Sequence, residues 1–278
     1  MTITDTTATA RTDVARERLA EAVDALVSSD GWKQWLDSRA RFHTYSFGNT
    51  MLIGFQRPDA SLVAGFKTWQ SMGRHVRKGE KGIAILAPMI RKIRDADGER
   101  AEVCDDSGRR VVGFRTVYVF DVAQTDGDAL PEAPVSLPVG GRQEDYMRLQ
   151  DLAEKEGLGV TVDDMSGGKN GELNRASKVI TLGSHLFETG TPAARIKTLT
   201  HELAHWFDLG ADTAMYDRHE AEIVAEAVAY IVGQRLGLDT SSYSAGYVAS
   251  WAGGDSEKLH AVAERIDKAA RSILVAFD

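Results

Sequence analysis

His201-Glu202-Leu203-Ala204-His205 is the stretch on which the reading of this chain turns. Two imidazoles four residues apart project from one face of a helix, where they can clamp a single metal ion. The glutamate between them flanks that ion without ligating it. Zn2+ is the expected cofactor, because it makes a water acidic near neutral pH, and the Glu202 carboxylate is then placed to take the proton and leave a nucleophile for a peptide carbonyl. With seven histidines in 278 residues, a chance occurrence of the pattern is on the order of one in a hundred. The surroundings read as a punctuated helix: Thr191 is a plausible N-cap, Pro192 takes the first helical position, and Gly210 follows the last apolar residue.

A catalytic zinc takes three protein ligands and keeps one position open, so a third ligand is needed beside His201 and His205. Glu220, Glu222, Glu226, Asp208, Asp212, Asp217 and His219 all lie downstream within reach. At about 100° per residue, Glu222 and Glu226 share a helical face and Glu220 points nearly opposite to Glu222. We therefore expect Glu222 as ligand and Glu226 as the acceptor that orients a histidine ring, with His219 as the reserve ligand. The run Lys178–Leu182 is either an ordinary sheet strand or an edge able to pair with an extended peptide. Tyr216, His219 and Tyr230 all stay open for stabilising an oxyanion.

Outward from the motif, the stretch containing Pro131, Pro134 and Pro138 has neither helical nor strand period and ends in paired glycines, which marks a linker. The chain is expected to be α+β in two domains: a disordered tail 1–12, a first domain 13–128, a linker 129–141 and a second domain 142–278. In the first domain, Val14, Leu19, Val23, Leu26 and Val27 predict a helix that Ser28-Ser29-Asp30-Gly31 stops. Further helices carry Trp32, Trp35 and Leu36, then Met51, Leu52 and Ile53. Strands are expected at Gly82–Ala87, Ile90–Ile93 and Phe114–Phe120, in an antiparallel sheet. The second domain reads as a helix Glu144–Glu156, strands at Leu158–Val162 and Lys178–Leu182, the motif helix, and helices at Arg218–Leu236 and Ser256–Val275.

A lone cysteine, Cys104, excludes an internal disulfide and fits a reducing compartment. The threonine-rich start has no basic-then-apolar pattern of a secretory signal, and no apolar segment is long enough to span a bilayer. A cytoplasmic location and no membrane partner are expected. The net charge of -8 conceals a basic region. Between Ser61 and Arg94 eight basic residues, Lys67, Arg74, Arg77, Lys78, Lys81, Arg91, Lys92 and Arg94, face one acid, Glu80, for a local charge of +7. Phe66, Trp69, Tyr118 and Phe120 accompany them, with Tyr45 and Phe47 upstream. Cations that follow phosphates and rings that stack bases suit single-stranded DNA, and of these residues Tyr45, Lys67, Trp69, Arg74, Arg77, Lys78, Lys81 and Tyr118 are the expected contacts. A solvated basic face over core aromatics is the plainer alternative.

The phrases Gly65–Trp69, Gly73–Ile83 and Val117–Val122 together resemble the N-terminal domain of ArdC-type antirestriction proteins, and His201–Trp206 resembles the His-Glu-Leu-Ala-His-Trp phrase of their second domain. The resemblance covers most of the chain. It implies a single-stranded-DNA-binding domain followed by a zincin-like zinc metallopeptidase domain, and protection of incoming DNA against restriction. It also implies a glutamate ligand from a Glu-Glu-x-x-Ala-Glu phrase, present here as Ala221–Glu226 with the first glutamate replaced. Two rival readings remain: a DNA-binding protein with a structural zinc site, and a peptidase acting on a repressor without binding DNA. The peptide substrate is not specified by any of these features.

Overall fold

A computed structural model describes residues 15–92, 109–128, 141–165, 169–208, 217–240 and 255–278. The tail 1–12, the linker up to residue 140, Cys104, Arg94, Gly210, Asp212 and Tyr216 lie outside the described residues. In chain order, helices α1 (15–25), α2 (Ser29–Arg41) and α3 (Phe47–Gln56) come first. Next are β1 (Val63–Gly65), α4 (Phe66–Ser71), β2 (Arg74–Val76), β3 (Ile83–Lys92), β4 (Arg109–Asp121) and β5 (Thr125–Gly127). The remainder is α5 (Gln143–Lys155), β6 (Gly159–Asp163), β7 (Gly171–Asn174), β8 (Val179–Gly183), α6 (His185–Glu188), α7 (Pro192–Phe207), α8 (Arg218–Arg235) and α9 (Ser256–Leu274). Among the described residues, no helix is long and apolar enough to cross a membrane.

The chain forms two compact units, residues 15–23 with 48–128 and residues 24–47 with 141–278. The sequence reading divides it once, at 129–141; the contacts divide it again because α2 packs with the C-terminal elements. That helix buries Trp32, Trp35 and Leu36. Its Arg39 side chain is 0% exposed and lies 2.6 Å from Asp267 of α9, and its Asp37 accepts a hydrogen bond from the Tyr230 hydroxyl of α8. The Ser28–Gly31 stop is also a start, since Ser28 Oγ accepts from the Gly31 N–H at 2.9 Å. A Cβ on Gly31 would sit 2.0 Å from the Ala25 carbonyl oxygen, so the approach of the two helices requires glycine.

In the first unit β1, β4 and β3 form an antiparallel sheet in that order, and β2 pairs with β5. The described parts of the expected runs at 82–87 and 90–93 meet in one strand, β3 (Ile83–Lys92), whose register shifts between Met89 and Ile90; Ile93 lies outside the described residues. Pro88 is tolerated there because β3 is an edge strand. Side chains of α3 close that edge. Asn49 exchanges two 2.8 Å bonds with the backbone of Leu86, and Gln56 donates to Ala84 O at 2.9 Å and accepts from Ala84 N at 3.1 Å. Val63, Ile83, Ile85 and Val119 are buried on one side of the sheet.

In the second unit the strand order is β6-β8-β7, with β6 parallel and β7 antiparallel to β8. The expected strand at 178–182 is thus the central one. Both of its edges are occupied, so it cannot receive a peptide by strand addition; β7 is the strand with an outer edge on the side of α7. Helix α7 starts as its sequence dictates, with Thr191 Oγ1 accepting from Ala194 N at 3.2 Å and Pro192 at the first position. Ile223, Val224, Val228, Ile231 and Val232 of α8 are buried, each stabilising the fold by about 1.5–3 kcal/mol.

Candidate metal centre

The helical spacing of α7 stacks His201 and His205, and the second and third turns of α8 present Glu222 and Glu226 to them. His201 Nε2 lies 3.1 Å from His205 Nε2. Glu222 Oε2 lies 3.3 Å from the first and 3.7 Å from the second. Three ligand atoms placed tetrahedrally about 2.0–2.2 Å from one zinc ion would be separated by about 3.4 Å. The observed triangle meets that requirement without rearrangement, and among the described residues these three form the group able to hold a metal ion. The other ring nitrogen, His201 Nδ1, is 3.1 Å from Glu226 Oε1, the bond that fixes which nitrogen faces the ion.

Electrostatics follow from this packing. Burial works to lower the His201 pKa, but Glu222 and Glu226 outweigh it and bring it up to about 9. His205, desolvated and beside that charged ring, is pushed down to about 4. The carboxyls of Glu222 and Glu226 are held below their ordinary range, first of all by hydrogen bonds with His201. Glu202 goes the other way: burial pushes its carboxyl up, only partly offset by His201 and by the Leu173 N–H. A buried carboxylate with a raised pKa beside a metal triad is suited to accept a proton.

Three supporting residues were not legible in the sequence. Gly171 of β7 leaves room for the carboxylate, because a Cβ there would lie 3.0 Å from Glu202 Oε1 and 2.7 Å from Thr198 Cγ2. Arg175 donates to the carbonyls of His205, Trp206 and Asp208, closing the C-terminal turn of the motif helix. Arg265 of α9 holds Asp208 through two bonds of 2.7 and 2.9 Å and Glu220 through one of 2.9 Å. This last network takes Asp208 and Glu220 out of the set of third-ligand candidates. Asp217 is the N-cap of α8, His219 is outside the triad, and the Tyr230 hydroxyl donates to Asp37.

The expected DNA contacts fare unevenly. Lys67, Lys78, Lys81 and Tyr118 are exposed in the first unit. Trp69 is a correction: its side chain is 0% exposed and its indole N–H donates to Phe120 O at 2.9 Å, so it is a core residue and cannot stack a base. Tyr45 is grouped with the unit that contains His201 and His205. Arg74 spends its guanidinium on Thr125 Oγ1 at 2.8 Å and Thr125 O at 3.0 Å, clasping β5. Arg77 is exposed but paired with Glu80 at 2.9 Å and Asp126 at 3.3 Å.

Fold and site define a mixed helix–strand protein with a two-histidine, one-carboxylate group that could hold a metal ion. Residues 15–120 match the family described as the N-terminal domain of anti-restriction factor ArdC. The crystal structure of antirestriction ArdC from plasmid R388 in its Mn(II)-bound form has a TM-score of 0.58 at 18% identity, over 93% of this chain and 97% of that one. The metal-free form gives 0.52 at 19% identity, over 82% and 84%. An uncharacterized protein of Bacillus anthracis is 27% identical over 86% of this chain. This chain spans about half, 46%, of that relative's length.

Proposed function

We propose that this protein is a single-stranded-DNA-binding, zinc-dependent metallopeptidase-like antirestriction protein that protects incoming DNA in the cytoplasm. The unit containing residues 48–128 recruits DNA, and a zincin-like domain over residues 142–278 holds Zn2+ through His201, His205 and Glu222. The observation that carries this reading is the ligand triangle, with edges of 3.1, 3.3 and 3.7 Å, beside a buried Glu202. When bound, zinc supplies a Lewis acid and an acidified water. The chain's own residues supply the rest: Glu226 orients His201, Gly171 admits the Glu202 carboxylate, and Glu202 takes the proton. The metal in the R388 ArdC structure is Mn(II); a donor set of two imidazoles and one carboxylate suits zinc equally.

Elemental analysis and a peptidase assay on the purified chain test the assignment. One zinc per chain is expected, lost in His201→Ala and His205→Ala, while Glu202→Gln retains zinc and loses hydrolysis. If Glu202→Gln released zinc as readily as the histidine variants, its role as proton acceptor would be wrong. Zinc retention without hydrolysis of any peptide by the parent chain would favour the structural-zinc reading.

A further inference from the structure

The two faces of the β1-β4-β3 sheet differ in a way that the fold does not need. Alternation along β4 places Val119 on the core side with Ile83 and Val63, and places Phe114, Thr116, Tyr118 and Phe120 on the other. A solvated face of an antiparallel sheet is ordinarily polar. Here Phe114 is 48% and Tyr118 44% exposed, and Phe66, also exposed, stands edge-on to Phe120 with ring centroids 6.5 Å apart. At the start of β3, a Cβ on Gly82 would lie 2.9 Å from Tyr118 Cβ and 3.1 Å from Phe120 Cζ, so glycine there gives both rings room.

Charge accompanies the rings. Exposed Lys67 follows Phe66, and exposed Lys81 precedes Gly82. At the far end the register pairs Arg91 with Arg110 and Lys92 with Arg109. Between Ile83 and Lys92 and between Arg109 and Phe120 the strands contain no Asp or Glu. An aromatic row with exposed cations at its Lys67 and Lys81 end matches a polyanion that also offers flat apolar faces. Successive residues on one face of a strand are about 7 Å apart, so Phe114 and Tyr118 form separate platforms about 13 Å apart.

We infer that single-stranded DNA runs along this face, its bases stacked on Phe114, on Tyr118 and on the Phe66–Phe120 pair, its phosphates following Lys67 and Lys81. The inference rests on the DNA-binding reading above and replaces the buried Trp69 with rings that a base can reach. Duplex DNA is excluded from such a path because its bases are already stacked on one another.

The test uses the full chain and a fluorescein-labelled oligothymidine, read by fluorescence anisotropy across a salt series. Phe114→Ala and Tyr118→Ala are each expected to weaken binding by on the order of ten-fold or more, with the dependence of affinity on salt unchanged. Phe114→Trp and Tyr118→Phe should bind like the parent, which separates stacking from any loss of structure. If the parent binds no single-stranded DNA, the DNA-binding reading itself fails. Undiminished binding in both alanine variants, or equal affinity of the parent for a duplex of the same length, leaves that reading intact and overturns the path along the sheet.

Discussion

Glu226 touches the metal centre only through the far nitrogen of His201, and that indirect position gives its removal a defined magnitude. In Glu226→Ala, His201 keeps its place on α7 but loses the 3.1 Å bond to Nδ1 that holds Nε2 toward His205 and Glu222. Loss of an acceptor at this position typically weakens metal binding by 10–100-fold, about 1.4–2.7 kcal/mol. Glu222→Ala removes a corner of the triangle itself and should cost considerably more. Glu220→Ala breaks a bond to Arg265, not to either histidine, and should leave zinc affinity unchanged while lowering thermal stability. Competition with a chromogenic chelator, at one pH for all three variants, gives the order Glu222, Glu226, Glu220 from most to least damaging. Equal losses for Glu226→Ala and Glu222→Ala, or a loss for Glu220→Ala comparable to either, would refute the assignment of the α8 carboxylates.

Gly171→Ala should retain zinc and lower hydrolysis, since the added methyl falls 3.0 Å from Glu202 Oε1; an unchanged rate with intact metal content would show that the carboxylate does not need this approach. Arg39→Ala leaves Asp267 buried with only Arg271 at 3.1 Å, so urea denaturation should report a loss of about 3 kcal/mol. A loss under about 1 kcal/mol would mean the pair is not coupled to folding. In the metal-free chain Glu222 and Glu226 outweigh burial and bring the His201 pKa up to about 9, above the ordinary histidine value. Its raised pKa gives stability that is fully present below the unfolded value of about 6.5 and is lost as pH rises through about 9. Zinc must displace that proton, so apparent affinity should climb about ten-fold per pH unit between about 7 and 9 and then level off. A flat profile in a metal-binding titration would contradict the charged state of His201.

The metal centre was legible in the sequence because its geometry is local. Four residues along one helix and four along another set the faces, and Thr191 and Pro192 mark where the first helix begins. The strand beside it was not legible, since Gly171-Glu172-Leu173-Asn174 has no apolar alternation and owes its place to pairing with β8. Nor could aromatic composition distinguish Trp69, in the core, from Phe114, in solvent, because that depends on α4 packing Trp69 against the sheet and on which face of β4 carries Phe114. Arg175 and Arg265 reach the centre from other elements, a relation without any fixed spacing in the chain. The placement of residues 24–47 was hidden for the same reason: the partners of Asp37 and Arg39 lie about two hundred residues downstream.

Asn49 and Gln56 give the first unit a property that neither helix nor strand has alone. Seven residues apart on α3, they present side-chain amides that imitate the backbone of a missing neighbour, each saturating one N–H and one C=O of β3. To another polypeptide that margin of the sheet offers two fewer residues to recruit, so growth of the sheet into a fibre or a swapped dimer is blocked by two carboxamides rather than by bulk or charge. Shortening Asn49 to Ala would strip the imitation from Leu86 and turn a finished boundary into a template. Stronger concentration-dependent self-association of that variant than of the parent is how such a boundary would declare itself.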